Sequence, residues 1–238
     1  MVAIYTPIEG MIRAINQAPD DQFVSAVGQY LDLNEFMKYL AVEQFTAEWD
    51  GFAGNWATNN FYLYKFRSNG IIQIIPWDKD HAFTFIDVPV TFRLDQNVLT
   101  RRAMAVPALR QVFFDTLLQL ASVGEATDPN DSRPYLQREV ERQYSQITDA
   151  LAADTLTPFT MDQAGADYEF LRQFGYGRSA YVRCDVARNL DPDADQNCTA
   201  PSIPAEDTAN GLRSHAPASG STPGTLSKIG TRKVNSSY

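Results

Sequence analysis

Between Glu48 and Phe85 the chain reads EWDGFAGNWATNNFYLYKFRSNGIIQIIPWDKDHAF, and oxygen-bearing side chains crowd both ends of that run. Asp50 opens a Gly-rich loop that continues to Asn59 and Asn60, while Asp78 and Asp80 flank Lys79 just after Pro76-Trp77. Two carboxylates and a carboxamide suit a hard cation such as Mg²⁺, which takes oxygen ligands and keeps several waters. A third carboxylate beside them can accept the proton of a hydroxyl nucleophile. The same residues have ordinary structural uses. Asp-x-Asp pairs cap turns, and Asn-Asn before a strand is common loop chemistry. Trp77 fits a core position, and a lone histidine such as His81 usually lies on the surface or in a satisfied core. Spacing alone leaves both readings open.

The flanking elements decide whether these groups can meet. FYLYKF (61–66) and IIQIIPW (71–77) are aromatic and β-branched runs separated by RSNG, which predicts a hairpin. Antiparallel pairing sets the start of one strand beside the end of the other, so Asn60 and Asp78 come together and Asp50 reaches them from the preceding loop. A helix is expected over 32–47, with Asp32 and Glu35 as a capping-box-like start and Phe36, Met37, Leu40 and Ala41 at helical spacing. After an irregular stretch, Leu109 to Leu120 and Leu136 to Leu151 mark two more helices. Tyr168 to about Leu190 marks a fourth, weakened by Gly175 and Gly177. One hairpin among several helices makes the fold class α+β, mostly helical, with the hairpin at the site.

Composition narrows the partners. The 238 residues carry 20 Lys and Arg against 29 Asp and Glu, a net charge of −9. A chain this acidic lacks the basic face a general nucleic-acid binder needs. No apolar run approaches a membrane span, and the first residues lack the pattern of a signal peptide. From about Ala200 onward Ser, Thr, Pro, Ala and Gly dominate, so a domain over 1–198 and a disordered tail over 199–238 are expected. Cys184 and Cys198 enclose a DPDADQN loop flexible enough for a disulfide; two free thiols are the other reading. A bridge would imply an oxidising compartment.

Three segments in order resemble the CotH kinase family, the spore-coat-type atypical protein kinases. They are LDLNEFMKYLAVEQFTAEWDGFAGN (31–55), NNFYLYKFRSNGIIQIIPWDKDHAF (59–83) and NVLTRRAMAVPALRQVFF (97–114). The resemblance covers about residues 5–190. It implies the large lobe of a kinase-like fold and Mg²⁺-dependent transfer of the ATP γ-phosphoryl to Ser or Thr of a protein substrate. Asp50 matches the aspartate that orients and deprotonates the acceptor hydroxyl. Asn60, with Asn59 as its one-residue alternative, matches the metal-binding asparagine. Asp78 matches the aspartate that holds Mg²⁺ against the phosphates, with Asp80 as an assisting ligand. Exported relatives point to an extracytoplasmic or envelope location.

The front of the chain departs from that pattern. The first lysine is Lys38, on a helix assigned to the large lobe, and the opening 30 residues are too few for a small lobe bearing the phosphate-binding lysine. The chain thus resembles the C-terminal two-thirds of a family member, and a non-catalytic binding or structural protein (a pseudokinase) is the alternative expectation. A third reading takes Asp78 and Asp80 as the acidic pair of a haloacid-dehalogenase-like phosphatase or a glycosyltransferase. It fits less well, because the first expects Thr or Val where Ala82 stands and the second a nucleotide-sugar fold upstream.

Overall fold

The computed structural model describes residues 2–56 and 58–204. In order it contains α1 (Val2–Gln17), a single 3₁₀ turn (Asp20–Gln22), α2 (Phe23–Val27), α3 (Leu33–Phe45), β1 (Phe61–Lys65) and β2 (Ile72–Pro76). These are followed by α4 (Val98–Ala105), α5 (Pro107–Gly124), α6 (Tyr135–Ala153) and α7 (Met161–Leu190). The class is α+β and mostly helical, as the sequence predicts. Of the disordered tail expected over 199–238, residues 205–238 lie outside the described residues. The compact unit runs through Ile203. Its last residues are tied to α7 by the Gln173 amide, which donates to Pro201 O at 2.8 Å and accepts from Ile203 N at 3.0 Å.

The core forms where α3, α5 and α7 pack together, with α6 laid against α7. Phe36, Met37, Leu40 and Ala41 from α3 meet Phe113, Leu117 and Ala121 from α5 and Val182 and Val186 from α7, all buried. Asp32 caps α3 as expected, its carboxylate accepting from Asn34 N and Glu35 N. Glu35 does not complete a capping box; it pairs with Lys38 at 2.7 Å instead.

Three helical features go beyond the sequence expectations. The N-terminal residues form α1 and α2, and an apolar stripe of Met11, Ile15, Phe23 and Val27 holds them to the core. The stretch before Leu109 is not irregular but contains α4, capped by Asn97 and separated from α5 by the Val106-Pro107 break. Arg102 on α4 donates to Ile15 O at 2.6 Å and Ala18 O at 2.5 Å, supplying partners for the free carbonyls at the end of α1. Lastly, α7 starts seven residues earlier than Tyr168, at a capping box between Thr160 and Gln163, and runs unbroken through both glycines.

Those glycines are contact points. A Cβ on Gly175 would lie 2.8 Å from Gln137 N and 2.9 Å from Leu136 C, so its absence lets α6 and α7 touch backbone to backbone. Nearby, Arg178 on α7 is wholly buried. Its guanidinium donates to Gln44 O, Phe45 O, Ile86 O and Val88 O at 2.6–2.9 Å. It ties the end of α3 to the turn at 86–88, and burial lowers its pKa to about 10. Asp185, also buried, fixes the next turn by accepting from Val90 N at 2.6 Å. Cys184 and Cys198 are joined in a disulfide that returns the chain onto α7.

Candidate active site

β1 and β2 form one antiparallel ribbon in which Phe61 pairs with Pro76 and Lys65 with Ile72. Its period of two divides the side chains. Ile72 and Ile74 are buried against α3, while Tyr62, Tyr64, Ile75 and Trp77 face solvent. Trp77, expected in the core, is 55% exposed and packs edge-on against Tyr62. Tyr30 O accepts from Ile72 N at 2.6 Å, anchoring the ribbon beside the start of α3.

At the open end of the ribbon Trp77 N donates to Asn60 O at 3.0 Å, so Asp78 begins one residue past the point where the strands last bond. Asp50 arrives from the loop after α3 and is buried. Asn60 Nδ2 donates to Asp50 Oδ2 at 2.8 Å, and Asn59 Nδ2 lies 3.1 and 3.2 Å from the two carboxylate oxygens. Both asparagines therefore hold Asp50, and each keeps its amide oxygen clear of that contact. Asp78 is exposed, and no hydrogen bond among the described residues joins it to Asp50 or Asn60. Asp80 is exposed too, with Oδ2 4.0 Å from His81 Nε2. Among the described residues no three Asp, Glu, His or Cys side chains form a metal cluster, so any cation site here rests on a mixed carboxylate–amide set.

A residue outside the expected set connects the two halves. Glu43 lies on the inward face of α3, three residues past Leu40, and its side chain is 5% exposed. Its Oε1 accepts from Lys79 Nζ at 2.6 Å and from the Tyr39 hydroxyl, and its Oε2 accepts from Phe52 N at 2.8 Å. Phe52 follows Asp50 by two residues, and Lys79 separates Asp78 from Asp80. One buried carboxylate thus joins the loop carrying Asp50 to the segment carrying the acidic pair. Burial and the neighbouring Glu43 charge push the Tyr39 phenol well above its usual range, keeping it a neutral donor. Glu48 is buried as well, its Oε1 accepting from Asp50 N at 3.0 Å while Oε2 finds no partner. Burial raises its pKa; the Asp50 N–H and Lys79 oppose the rise, and Glu43 and Asp50 reinforce it.

The backbone here is unusual. Among the described residues the non-glycine ones at positive φ are Ala47 (51°), Asn60 (56°), Asp78 (49°), Phe83 (60°) and Arg93 (57°), between the end of α3 and the start of α4. Asn and Asp tolerate this region through their short polar side chains, whereas Ala, Phe and Arg do so at a cost of about 1–2 kcal/mol each. Cross-links hold the loops in place. Trp49 N donates to His81 O at 3.0 Å, Phe83 N donates to Thr46 O at 2.6 Å, and Trp49 stacks on Phe92 with centroids 5.3 Å apart.

Of the residues the sequence suggests, the structure brings Asp50, Asn59 and Asn60 into contact and leaves Asp78 and Asp80 without a bond to them, while Glu43, Tyr39, Glu48 and Lys79 are not among those suggested. The signal was a charged residue on the apolar stripe of α3, where a carboxylate persists only with buried partners.

The molecule is a mostly helical α+β domain with an acid–amide cluster at the open end of a two-stranded ribbon. The model of the CotH kinase protein family matches residues 4–182, and the chain belongs to that family. Inner spore coat protein H of Bacillus subtilis is 37% identical over 73 residues, covering 31% of this chain and 19% of that protein. Invasin CotH7 of Rhizopus delemar is 24% identical over 118 residues, covering 45% of this chain and 20% of that protein. The matched regions thus span about a fifth of the length of these curated relatives.

Proposed function

We propose that this chain carries the phosphotransfer site of a CotH-type protein kinase, moving the γ-phosphoryl of ATP to Ser or Thr of a protein acceptor with Mg²⁺. The observation that supports it most is Asp50. A carboxylate held by two carboxamides, at the end of a ribbon whose other strand leads into Asp78, is suited to orient an acceptor hydroxyl and take its proton. The donor set fits Mg²⁺. Asn60 retains an amide oxygen and Asp78 has no competing partner among the described residues, while Asp80 stands next in line as an assisting ligand. When bound, the ion would neutralise charge on the transferred phosphoryl group. The chain's own residues supply the rest: Asn59 and Asn60 orient Asp50, and Glu43 fixes both loops through Phe52 and Lys79.

A second reading, a non-catalytic binding or structural protein, draws on the lysines. Lys38 is occupied by Glu35 and Lys79 by Glu43, and residues 2–27 form helices rather than a phosphate-binding sheet. The names of the relatives, a spore coat protein and an invasin, suggest an envelope or extracellular setting under either reading. Among the described residues no helix is long and apolar enough to cross a membrane.

Both readings meet in one experiment. The protein is incubated with Mg²⁺, γ-labelled ATP and a Ser/Thr-rich acceptor, alongside Asp50→Asn and Asp78→Asn. The kinase reading expects label on the acceptor and losses of about 10²–10⁴-fold in each variant. Equal transfer by the variants would refute this site, and neither Mg-ATP binding nor transfer by the wild type would leave the binding-protein reading standing.

A further inference from the structure

A polar cavity of about 210 Å³ has Phe52–Gly54 of the Asp50 loop in its wall, together with Thr58, Arg93, Gln96 and Asn97. Its distinguishing group is Arg93. Other sheltered arginines each reach an acceptor or a carboxylate: Arg102 bonds to Ile15 O and Ala18 O, Arg178 to four carbonyls, and Arg172 donates from Nε to Glu169, its Nη2 lacking a hydrogen bond but ion-paired with the same carboxylate at 2.9 Å. Arg93 Nε is shielded from solvent and has no hydrogen-bond partner, and no ion pair is formed by its guanidinium among the described residues. The remaining arginines without an acceptor there, Arg67 and Arg110, are exposed to solvent.

The backbone holds Arg93 in place at a cost. Its φ of 57° is one that an unbranched long side chain rarely adopts. The neighbours enforce it. Leu94 is buried, Phe92 is stacked on Trp49, and Phe92 N and Gln96 N donate to Pro89 O and Arg93 O at 2.9 and 3.0 Å. An unpaired cation at a strained position in a concave site is what a binding site for an anion would retain. Thr58 adds a directed donor. Its Oγ1 accepts from Asn97 Nδ2 at 2.8 Å, which leaves the hydroxyl proton free to point elsewhere. No acidic side chain lines the cavity; the nearest carboxylate in the chain sequence, Asp95, is exposed and occupied by Gln96 Nε2 at 2.8 Å.

We propose that this cavity binds a phosphoryl oxyanion, with the Arg93 guanidinium and the Thr58 hydroxyl as its donors. Such an anion completes the charge-assisted bonds that Arg93 lacks. It would also brace Phe52–Gly54, the part of the Asp50 loop that forms one wall. This site stands apart from the phosphotransfer reading, because its ligand needs neither Asp50 nor Asp78. The anion could arrive as free phosphate or on a phosphorylated serine of another protein, and the chemistry recognised is the same.

The test titrates the protein with inorganic phosphate at constant ionic strength, following the Arg93 Nε–H resonance and the melting temperature. A phosphoserine peptide and its unphosphorylated twin form the parallel arm. Saturable phosphate binding is expected, weakened about tenfold or more in Arg93→Gln and less severely in Thr58→Val. Arg93→Asn keeps a side chain suited to positive φ, so it should melt no lower than the wild type without ligand while losing the phosphate response. Phosphopeptide binding tighter than free phosphate, with none by the twin, identifies a protein-borne group; equal affinities identify the free anion. The proposal falls if wild-type protein shows no saturable response to either, or if Arg93→Gln and Arg93→Asn respond as the wild type does. A purely packing role for Arg93 would instead show as a lower melting temperature in both variants with no ligand response to lose.

Discussion

Replacing Glu43 by alanine removes a side chain that bonds to both loops of the candidate site. Three donors lose their acceptor: Lys79 Nζ, the Tyr39 hydroxyl and Phe52 N. Breaking a buried ion pair from one side costs about 3–5 kcal/mol. Lys79 is 28% exposed and can recover water, which places the ion-pair part near the lower bound. Phe52 is buried, so its N–H has no such recourse and adds about 1–3 kcal/mol. The expected loss for Glu43→Ala is therefore about 4–6 kcal/mol in urea unfolding. Glu43→Gln, which keeps the shape and one acceptor oxygen, should lose about half as much. A double-mutant cycle of Glu43→Gln with Lys79→Met isolates the pair, and a coupling of about 1–2 kcal/mol is expected. In spectra of Glu43→Gln the amide signals of 50–54 and of 78–80 should shift together. A loss below about 1 kcal/mol for Glu43→Ala, or shifts confined to one of the two segments, would refute the idea that this carboxylate joins them.

Other predictions follow from single features. Glu48 has a folded pKa above its usual value, so the folded chain holds that proton more tightly than the unfolded chain does. Its contribution to stability then falls as pH rises from the ordinary glutamate range through the raised value, leaving a penalty at neutral pH. Glu48→Gln should accordingly melt higher than wild type at pH ~7, with the gap closing toward pH ~4, the ordinary glutamate range; a gap independent of pH would count against a buried charge. The Cys184–Cys198 bridge spans 14 positions, so its reduction should cost about 3 kcal/mol at most, read as a lower urea midpoint in reductant that the Cys184→Ser/Cys198→Ser double variant reproduces without reductant. A Cβ on Gly165 would meet nothing within 4 Å, so Gly165→Ala should stabilise α7 by about 0.5–1 kcal/mol. Gly175→Ala, where the Cβ meets α6 backbone at 2.8 Å, should destabilise by about 1–3 kcal/mol despite the same gain in helix propensity, and equal effects at the two positions would sink the close-approach argument.

The pattern of success and failure in reading the sequence has physical causes. The ribbon was legible because its aromatic and β-branched runs and the RSNG turn are local signals, and with it came the meeting of Asn60 with the Trp77-Asp78 end. Helices α3, α5 and α6 carry apolar stripes dense enough to declare themselves. α4 does not: its VLTRRAMA sequence buries only Leu99, Thr100 and Ala103, and its end is fixed by the long-range bonds of Arg102 to α1. α7 runs longer than its pattern predicts because its first turns are polar and its glycines have low helix propensity. Their use, contact with α6 and with residues 200–201, involves chain segments far away in sequence. The same limit hid the Glu43–Lys79 pair, whose partners are 36 residues apart. Trp77 was misassigned because a two-stranded ribbon has only one buried face, and position 77 falls on the other.

The most direct measurement of the central claim uses Mn²⁺ as a paramagnetic stand-in for Mg²⁺, titrated into isotopically labelled protein. The account predicts early broadening of the Asn59 and Asn60 side-chain amides and of the backbone amides at 77–80, all lost in Asp78→Asn. Broadening that leaves those signals sharp and falls first on the acidic 191–195 loop, or that persists unchanged in Asp78→Asn, would contradict it.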